Sequence, residues 1–221
     1  IIVCGRRSGK TQMIAEEIIR GGVLNIFKNQ MVIAPVSKQS IIVFDKIMEL
    51  LIKAEVFDYD IDKVIHSPYP KIVFKKGSII YFGSADNYDS LRGESYDRIF
   101  IDESAFIKEG AWSAIRPLIF DTVAPIWETT SPQGKGIVWE RWKRGLKGDK
   151  DYGCFHYNYL DNPYLSDEGK IEIEKDIEEY GENSTYVQCE ILGNFIEDRD
   201  TFFKIDLIQS CVEDYELINS F

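Results

Sequence analysis

The chain has 221 residues, 44% of them hydrophobic and 13% aromatic, with 26 Lys plus Arg against 37 Asp plus Glu and a formal charge of -11. That composition excludes a disordered chain and predicts a soluble globular protein with one sizeable core, or one core and a small appendage. No apolar run approaches the ~20 residues that span a bilayer, and the N-terminus lacks the layout of a signal peptide, so neither export nor a membrane is expected.

The charge is uneven. Residues 1–150 carry 22 basic and 19 acidic side chains, net +3, whereas residues 151–221 carry 4 and 18, net -14. The acidity that argues against a nucleic-acid partner therefore belongs to the last third alone. Cys4, Cys154, Cys189 and Cys211 form no CxxC pair, and His66 and His156 are the only imidazoles. This predicts reduced thiols in a cytosolic compartment and no zinc site.

The chain opens directly on the apolar Ile1-Ile2-Val3, which predicts a strand and a start that is truncated. The loop Cys4 to Gly9 follows, then a helix with Ile14, Ala15, Ile18 and Ile19 on one face, stopped by Gly21-Gly22. Met31-Val32-Ile33-Ala34 predicts a second strand. Beyond Pro35, Ser37 is positioned to cap a helix packed through Ile41, Ile42, Phe44, Ile47, Leu50 and Leu51. Ile72-Val73-Phe74 and Ile79 to Phe82 flank Lys75-Lys76-Gly77-Ser78, the pattern of an antiparallel hairpin. Ser84 to Asp97 reads as an exposed loop, Ile99-Phe100-Ile101 as a short buried strand, and Trp112 to Phe120 as a helix. Ala124 to Thr130 predicts a strand, Ser131 to Gly136 a loop, and a helix then runs through Trp142 and Leu146. Phe155 to Tyr159 is a further strand candidate, and Gly169 to Tyr180 an acidic helix with Ile173, Ile177 and Tyr180 on one side. Strands alternating with helices predict an α/β fold whose mainly parallel sheet is covered on both faces. Ligands of such sheets bind beyond the strands' carboxyl ends, where the loops after Val3, Ile101 and Thr130 would meet.

Gly9-Lys10-Thr11, between an apolar strand and a helix, matches the core of a P-loop. Backbone N–H groups and the helix terminus cradle phosphates, Lys10 reaches the outer ones, and the Thr11 hydroxyl can ligate Mg2+. The usual pattern has glycine six positions before the lysine, whereas here Cys4 stands there and Gly5 follows. Cys4 itself reads as a small buried hydrophobe. Arg98 to Glu103 offers an apolar strand that ends on two carboxylates. Asp102 would hold Mg2+ and Glu103 would orient and deprotonate the attacking water. Thr129-Thr130-Ser131 could bring hydroxyls near a γ-phosphate. Arg92 is either a solvated loop charge or a group that neutralises charge on the transferred phosphoryl group.

Together these residues resemble the large terminase subunit of tailed bacteriophages, the ATPase that drives DNA packaging. Gly5-Arg6-Arg7-Ser8-Gly9-Lys10-Thr11 is similar to that family's arginine-bearing Walker A loop, Ile99 to Glu103 to its Walker B with catalytic glutamate, and Thr129-Thr130-Ser131-Pro132 to its coupling motif. The resemblance implies that Arg92 is the arginine finger, acting on its own or a neighbour's nucleotide, and that Arg6 senses the γ-phosphate. It also implies a P-loop NTPase fold with antiparallel strand additions and a small C-terminal lid and linker. On this reading residues 1–150 form the ATPase core. Residues 151–221 add a last core strand and then an acidic helical lid, with Leu192-Gly193-Asn194-Phe195 marking the junction to a nuclease.

The chain is accordingly expected to be an excised ATPase domain without nuclease activity, lacking also the upstream segment that contacts adenine. ATP and Mg2+ are the implied ligands, and double-stranded DNA, the portal protein and the small terminase subunit the implied partners. The domain would be a monomer in isolation and a homo-oligomeric ring when assembled in the host cytoplasm. Lys71, Lys75 and Lys76, and Arg141, Lys143, Arg144, Lys147 and Lys150 beside Trp139 and Trp142, are either solvated charges or contacts to DNA phosphates. Two other readings are a helicase-like or repair ATPase on the same fold and a slowly hydrolysing assembly module. The Glu103 signal argues against the second.

Overall fold

Runs of buried apolar residues lay out the sheet. In the computed structural model, which describes residues 1–91 and 95–196, these runs become β1 (Ile2–Cys4), β2 (Asn29–Ala34), β5 (Ile79–Ser84), β6 (Arg98–Asp102) and β7 (Ile126–Thr130). Three further strands are β3 (Ile61–Ile65), β4 (Lys71–Phe74) and β8 (Phe155–Tyr157). All eight join one sheet in the order β3-β4-β5-β2-β6-β7-β1-β8. The ladders from β5 to β8 are parallel, and β3 and β4 add an antiparallel edge.

Because side chains alternate along a strand, the central strands feed two cores. Val32, Phe100 and Ile80 pack against α1 (Lys10–Val23) and α2 (Ser37–Lys53) on one face. Met31, Ile33, Ile99 and Ile101 pack against α4 (Glu109–Ile115) on the other, whose last turn continues as a 3-10 segment, Arg116–Ile119. The single turn α3 (Phe57–Asp60) precedes β3, and α5 (Ile137–Leu146) follows β7. A third, small cluster of Tyr159, Val187 and Ile191 carries the half-buried Ile173 and Ile177 of α6 (Asp167–Tyr180). No helix among the described residues is long and apolar enough to cross a membrane.

Several local expectations are corrected. Gly21 and Gly22 do not stop α1, which runs to Val23. They are glycines because the sheet lies against them: a Cβ would stand 2.8 Å from Gln30 Oε1 and 2.5 Å from the Phe74 ring, respectively. Ser37 does not cap α2, where Val36 is the N-cap, and its hydroxyl instead meets that of Ser84 at 2.9 Å. Ile41 and Ile42 are exposed, and the buried stripe of α2 is Ser40, Val43, Phe44, Ile47 and Leu51. The stretch before Asp97 is not simply an exposed loop: Ala85–Leu91 is a 3-10 segment, and Leu91 and Tyr96 are buried in the core. The last strand ends at Tyr157, and Tyr180 is exposed against the Tyr186 ring rather than packed beside Ile173.

Candidate active site

The carboxyl ends of β1, β6 and β7 lie side by side, with Asp102 opposite Thr129 and Val3 opposite Thr130. Everything that the sequence offered as phosphate chemistry among the described residues emerges from this edge. Between β1 and α1 the chain turns through Arg7 at φ 64 and Gly9 at φ 90, the second a conformation that glycine adopts without penalty. The Ser8 hydroxyl donates to the Gly5 carbonyl at 2.8 Å and braces the loop.

Gly5 has a specific reason to be glycine. A Cβ there would collide with the Ile191 carbonyl oxygen, because the π-helical turn Val187–Ile191 presses on the loop. The Gly5 amide donates to the Tyr157 carbonyl at 3.2 Å and the Arg6 amide to the Glu190 carbonyl at 2.5 Å. Cys4, one residue earlier, is the buried end of β1, and burial pushes its thiol pKa up, which suits packing rather than nucleophilic chemistry. The displaced glycine thus follows from where the C-terminal segment lies.

Lys10 is the first residue of α1 and is only 8% exposed. Its ammonium donates to Ser131 Oγ at 3.1 Å and to the Gly5 and Cys4 carbonyls at 3.2 and 3.4 Å, and stands 3.7 Å from Glu103 Oε1. Thr11 is half-buried beside it in the first turn of α1. Asp102 closes β6, and its Oδ1 accepts the Thr129 hydroxyl at 2.7 Å. Burial raises the Asp102 pKa, against the opposing pull of Thr129 and Lys10. Glu103 follows in the left-handed region at φ 52, which turns its side chain back over the edge, where Oε2 accepts the Ser131 amide at 3.2 Å. Burial raises its pKa too, with Lys10 opposing and Asp102 adding. Thr130 Oγ1 accepts the Ala105 amide at 3.2 Å and donates to the Ser131 carbonyl at 2.8 Å.

Lys10, Asp102, Glu103, Thr129, Thr130 and Ser131 therefore form one connected cluster. Arg6 stands apart from it: its side chain is 75% exposed, and Nε donates to Glu190 Oε2 at 2.6 Å. Arg7 contributes a carbonyl that accepts Asn162 Nδ2 at 2.6 Å. Arg92 lies outside the described residues. Glu190 was not foreseen, since nothing in Val187-Gln188-Cys189-Glu190 distinguishes it from any acidic surface residue. The candidate DNA-binding residues on α5 are largely neutralised, Arg141 by Glu128 at 2.7 Å, Lys143 by Glu140 at 2.8 Å and Arg144 by Asp149 at 2.9 Å. Lys75 and Lys76 donate to the Asp58 and Val23 carbonyls.

Chemically, a strand–loop–helix junction with a buried lysine at its exit suits a phosphate chain. A buried carboxylate whose strongest partner is a neutral hydroxyl favours a cation, and Asp102 with the Thr11 hydroxyl offers the hard oxygen donors that Mg2+ prefers. The described residues contain no cluster of three or more His, Cys, Asp or Glu side chains able to hold a metal, and Mg2+ at a phosphate site does not require one. This sheet order and loop are those of the P-loop NTPase fold.

The chain belongs to the N-terminal family of terminase large subunits. The family model described as "Terminase large subunit, T4likevirus-type, N-terminal" matches residues 1–210. The large terminase subunit of Thermus virus P23-45 is 29% identical over 166 residues, covering 65% of this chain and 33% of the relative; that of Thermus phage G20c is 28% identical over the same length. The chain thus spans about a third of the curated relatives it matches. Among solved structures, the Thermus phage P74-26 large terminase ATPase domain superposes with a TM-score of 0.65 at 22% identity, over 89% of this chain and 88% of that one. A large terminase from a thermophilic bacteriophage, solved in complex with ADP, gives 0.68 at 20% identity, over 88% and 48%. The large terminase of bacteriophage HK97 gives 0.70 at 15% identity, over 87% and 46%.

Proposed function

We propose that this chain is the ATP-hydrolysing motor domain of a viral DNA-packaging terminase, which couples hydrolysis to movement of double-stranded DNA into a procapsid. The observation that carries the reading is the convergence of Lys10, Asp102, Glu103 and Ser131 on one sheet edge. Backbone amides of Arg7 to Gly9 and the N-terminus of α1 would cradle the phosphates, Lys10 would exchange its carbonyl partners for phosphate oxygens, and Thr11 and Asp102 would hold the metal. Mg2+ bound there would supply positive charge against the negative charge on the transferred phosphoryl group. Glu103, poised by its raised pKa, orients the attacking water and takes its proton. Thr129 to Ser131 relay the phosphate state along β7, Arg6 responds to the γ-phosphate, and Arg92 stabilises the transition state.

The same reading divides the chain into a core, residues 1–150, and a segment, residues 151–221, that adds β8 and an acidic lid leading to further domains. DNA, the portal protein and the small subunit are its partners in a ring assembled in the host cytoplasm. Displacement of a third strand from a DNA triplex by the full-length protein tests the motor reading. ATP-dependent displacement without separation of the duplex is expected, and unwinding of the duplex would favour a helicase instead.

A further inference from the structure

Behind the turn that carries Glu103 lies a charged pair that the proposed mechanism does not use. Glu128, in the middle of β7, is 5% exposed, and its Oε1 accepts a hydrogen bond from Arg141 Nη1 of α5 at 2.7 Å. The Arg141 guanidinium stacks over the Trp112 ring of α4 at 4.1 Å from its centroid. Glu128 alternates with Thr129 along the strand, so it shares a face with Thr130 rather than with the partner of Asp102. The 3-10 turn Ser104–Phe106 is folded over that face. Thr130 binds the turn directly, through the Ala105 amide. Ser104, fully buried, is the next residue down; burial raises the Glu128 pKa, and Arg141 first and the Ser104 hydroxyl last oppose that rise. Neither Ser104 Oγ nor Glu128 Oε2 closes a full hydrogen bond among the described residues.

A buried ion pair with incompletely satisfied atoms is a poor source of stability, since well-packed apolar residues of the same volume generally do as well or better. In some proteins such a pair is retained because it holds one geometry. The element above it needs that, because Glu103 adopts φ 52 and ψ 47, a region that non-glycine residues occupy only when their surroundings enforce it.

We propose that Glu128 and Arg141 are positioning residues for Glu103, an ion pair that sets the height and tilt of the 103–106 turn above β7 and so aims the Glu103 carboxylate at the attacking water. The pair acts at the base of the turn, while the Ser131 amide and Lys10 act on the carboxylate itself. It touches none of the phosphate-binding loop, so it bears on the rate of the chemical step and not on the affinity for nucleotide. The inference rests on the reading of Glu103 as the group that activates water.

The test compares Glu128→Gln, Arg141→Met and the double variant Glu128→Leu/Arg141→Met with the parent chain, measuring the Kd for MgATP and kcat. The double variant removes both charges together and keeps the interior filled, so it folds even where a single change leaves one charge buried alone. A displacement of about 1 Å at a reacting group costs on the order of 100-fold in rate. All three variants are therefore expected to lose roughly 10- to 100-fold in kcat with Kd changed by less than about twofold. A kcat within about twofold of the parent in the double variant overturns the proposal. So does a parallel loss of affinity and rate, which is what general loosening of the core produces. Glu103→Gln is measured alongside. Full turnover in that variant would overturn the reading of the site itself, whereas its inactivity beside fully active Glu128 and Arg141 variants would overturn only the positioning role.

Discussion

Asp102 and Glu103 are neighbours in sequence with separate surroundings, and the difference is made by one backbone angle. Asp102 stays in the strand and meets the Thr129 hydroxyl, while Glu103 turns into the left-handed region and meets Ser131 and Lys10. Thr129→Val removes the hydroxyl that donates to Asp102, and a hydrogen bond to a charged group is worth about 1.5–3 kcal/mol. The Mg2+ concentration for half-maximal hydrolysis is expected to rise about tenfold or more, read by metal titration of the ATPase rate. A carboxylate with a raised folded pKa binds protons more tightly in the native than in the unfolded state, so it contributes stability at low pH that is lost as pH rises through the folded pKa. Asp102→Asn should therefore raise the urea midpoint of the metal-free chain at pH 7 while hydrolysis falls by at least about 100-fold. Gly5→Ala forces its methyl against the Ile191 carbonyl. It is expected to loosen residues 187–194, seen as faster amide exchange there, with a loss of about 2 kcal/mol or more in stability.

At the scale of elements, α1 is tied to the sheet at two points. Lys10 fastens its start to Ser131 of the loop after β7, and Glu17 fastens its middle to the buried Arg98 at the start of β6, with Arg98 Nη2 donating to Glu17 Oε1 at 2.8 Å. The Arg98 guanidinium is also packed among the rings of Phe27, Phe100 and Trp127. Arg20 first, and then Arg98, hold the Glu17 pKa at about 2, so its stabilisation is present above the ordinary carboxylate range and lost as pH falls from about 4.5 toward 2. Glu17→Gln should lower stability at pH 7 by about 1–2 kcal/mol and flatten that acid loss, measured by urea unfolding at pH 7 and pH 3. The central strands were legible because strands buried on both faces are continuous apolar runs. β3 was not, because Asp62 and Lys63 are exposed on an edge strand and mask its pattern, and Gly21-Gly22 misled because a close approach by the sheet and a helix stop select the same residue. The cluster at the sheet edge was readable because Asp102 and Glu103 follow the apolar run Ile99 to Ile101, and Lys10 closes a glycine-bearing loop between an apolar strand and a helix. The π-helical turn that shapes the loop around Gly5 was not, since its contacts with the loop join opposite ends of the sequence, as between Arg6 and Glu190.

Taken as a whole molecule, the charge of -11 is the sum of a core that is slightly basic and a last third that is strongly acidic. Much of the basic charge on α5 is already engaged by acids of the same chain, and α6 carries an acidic surface. The chain alone should bind duplex DNA no more tightly than about 10 µM at physiological salt, with a steep weakening as salt rises, read by fluorescence anisotropy of a labelled duplex. On the proposed motor reading, strong engagement requires the ring, a nuclease region, or both, because modest contacts then multiply. The proposed chemistry, however, turns on one side chain, Glu103. It is tested most directly by measuring MgATP binding and steady-state phosphate release for the parent chain and Glu103→Gln side by side. Retained binding with a fall in turnover of about 100-fold or more is the predicted result. Unchanged turnover in Glu103→Gln would contradict it.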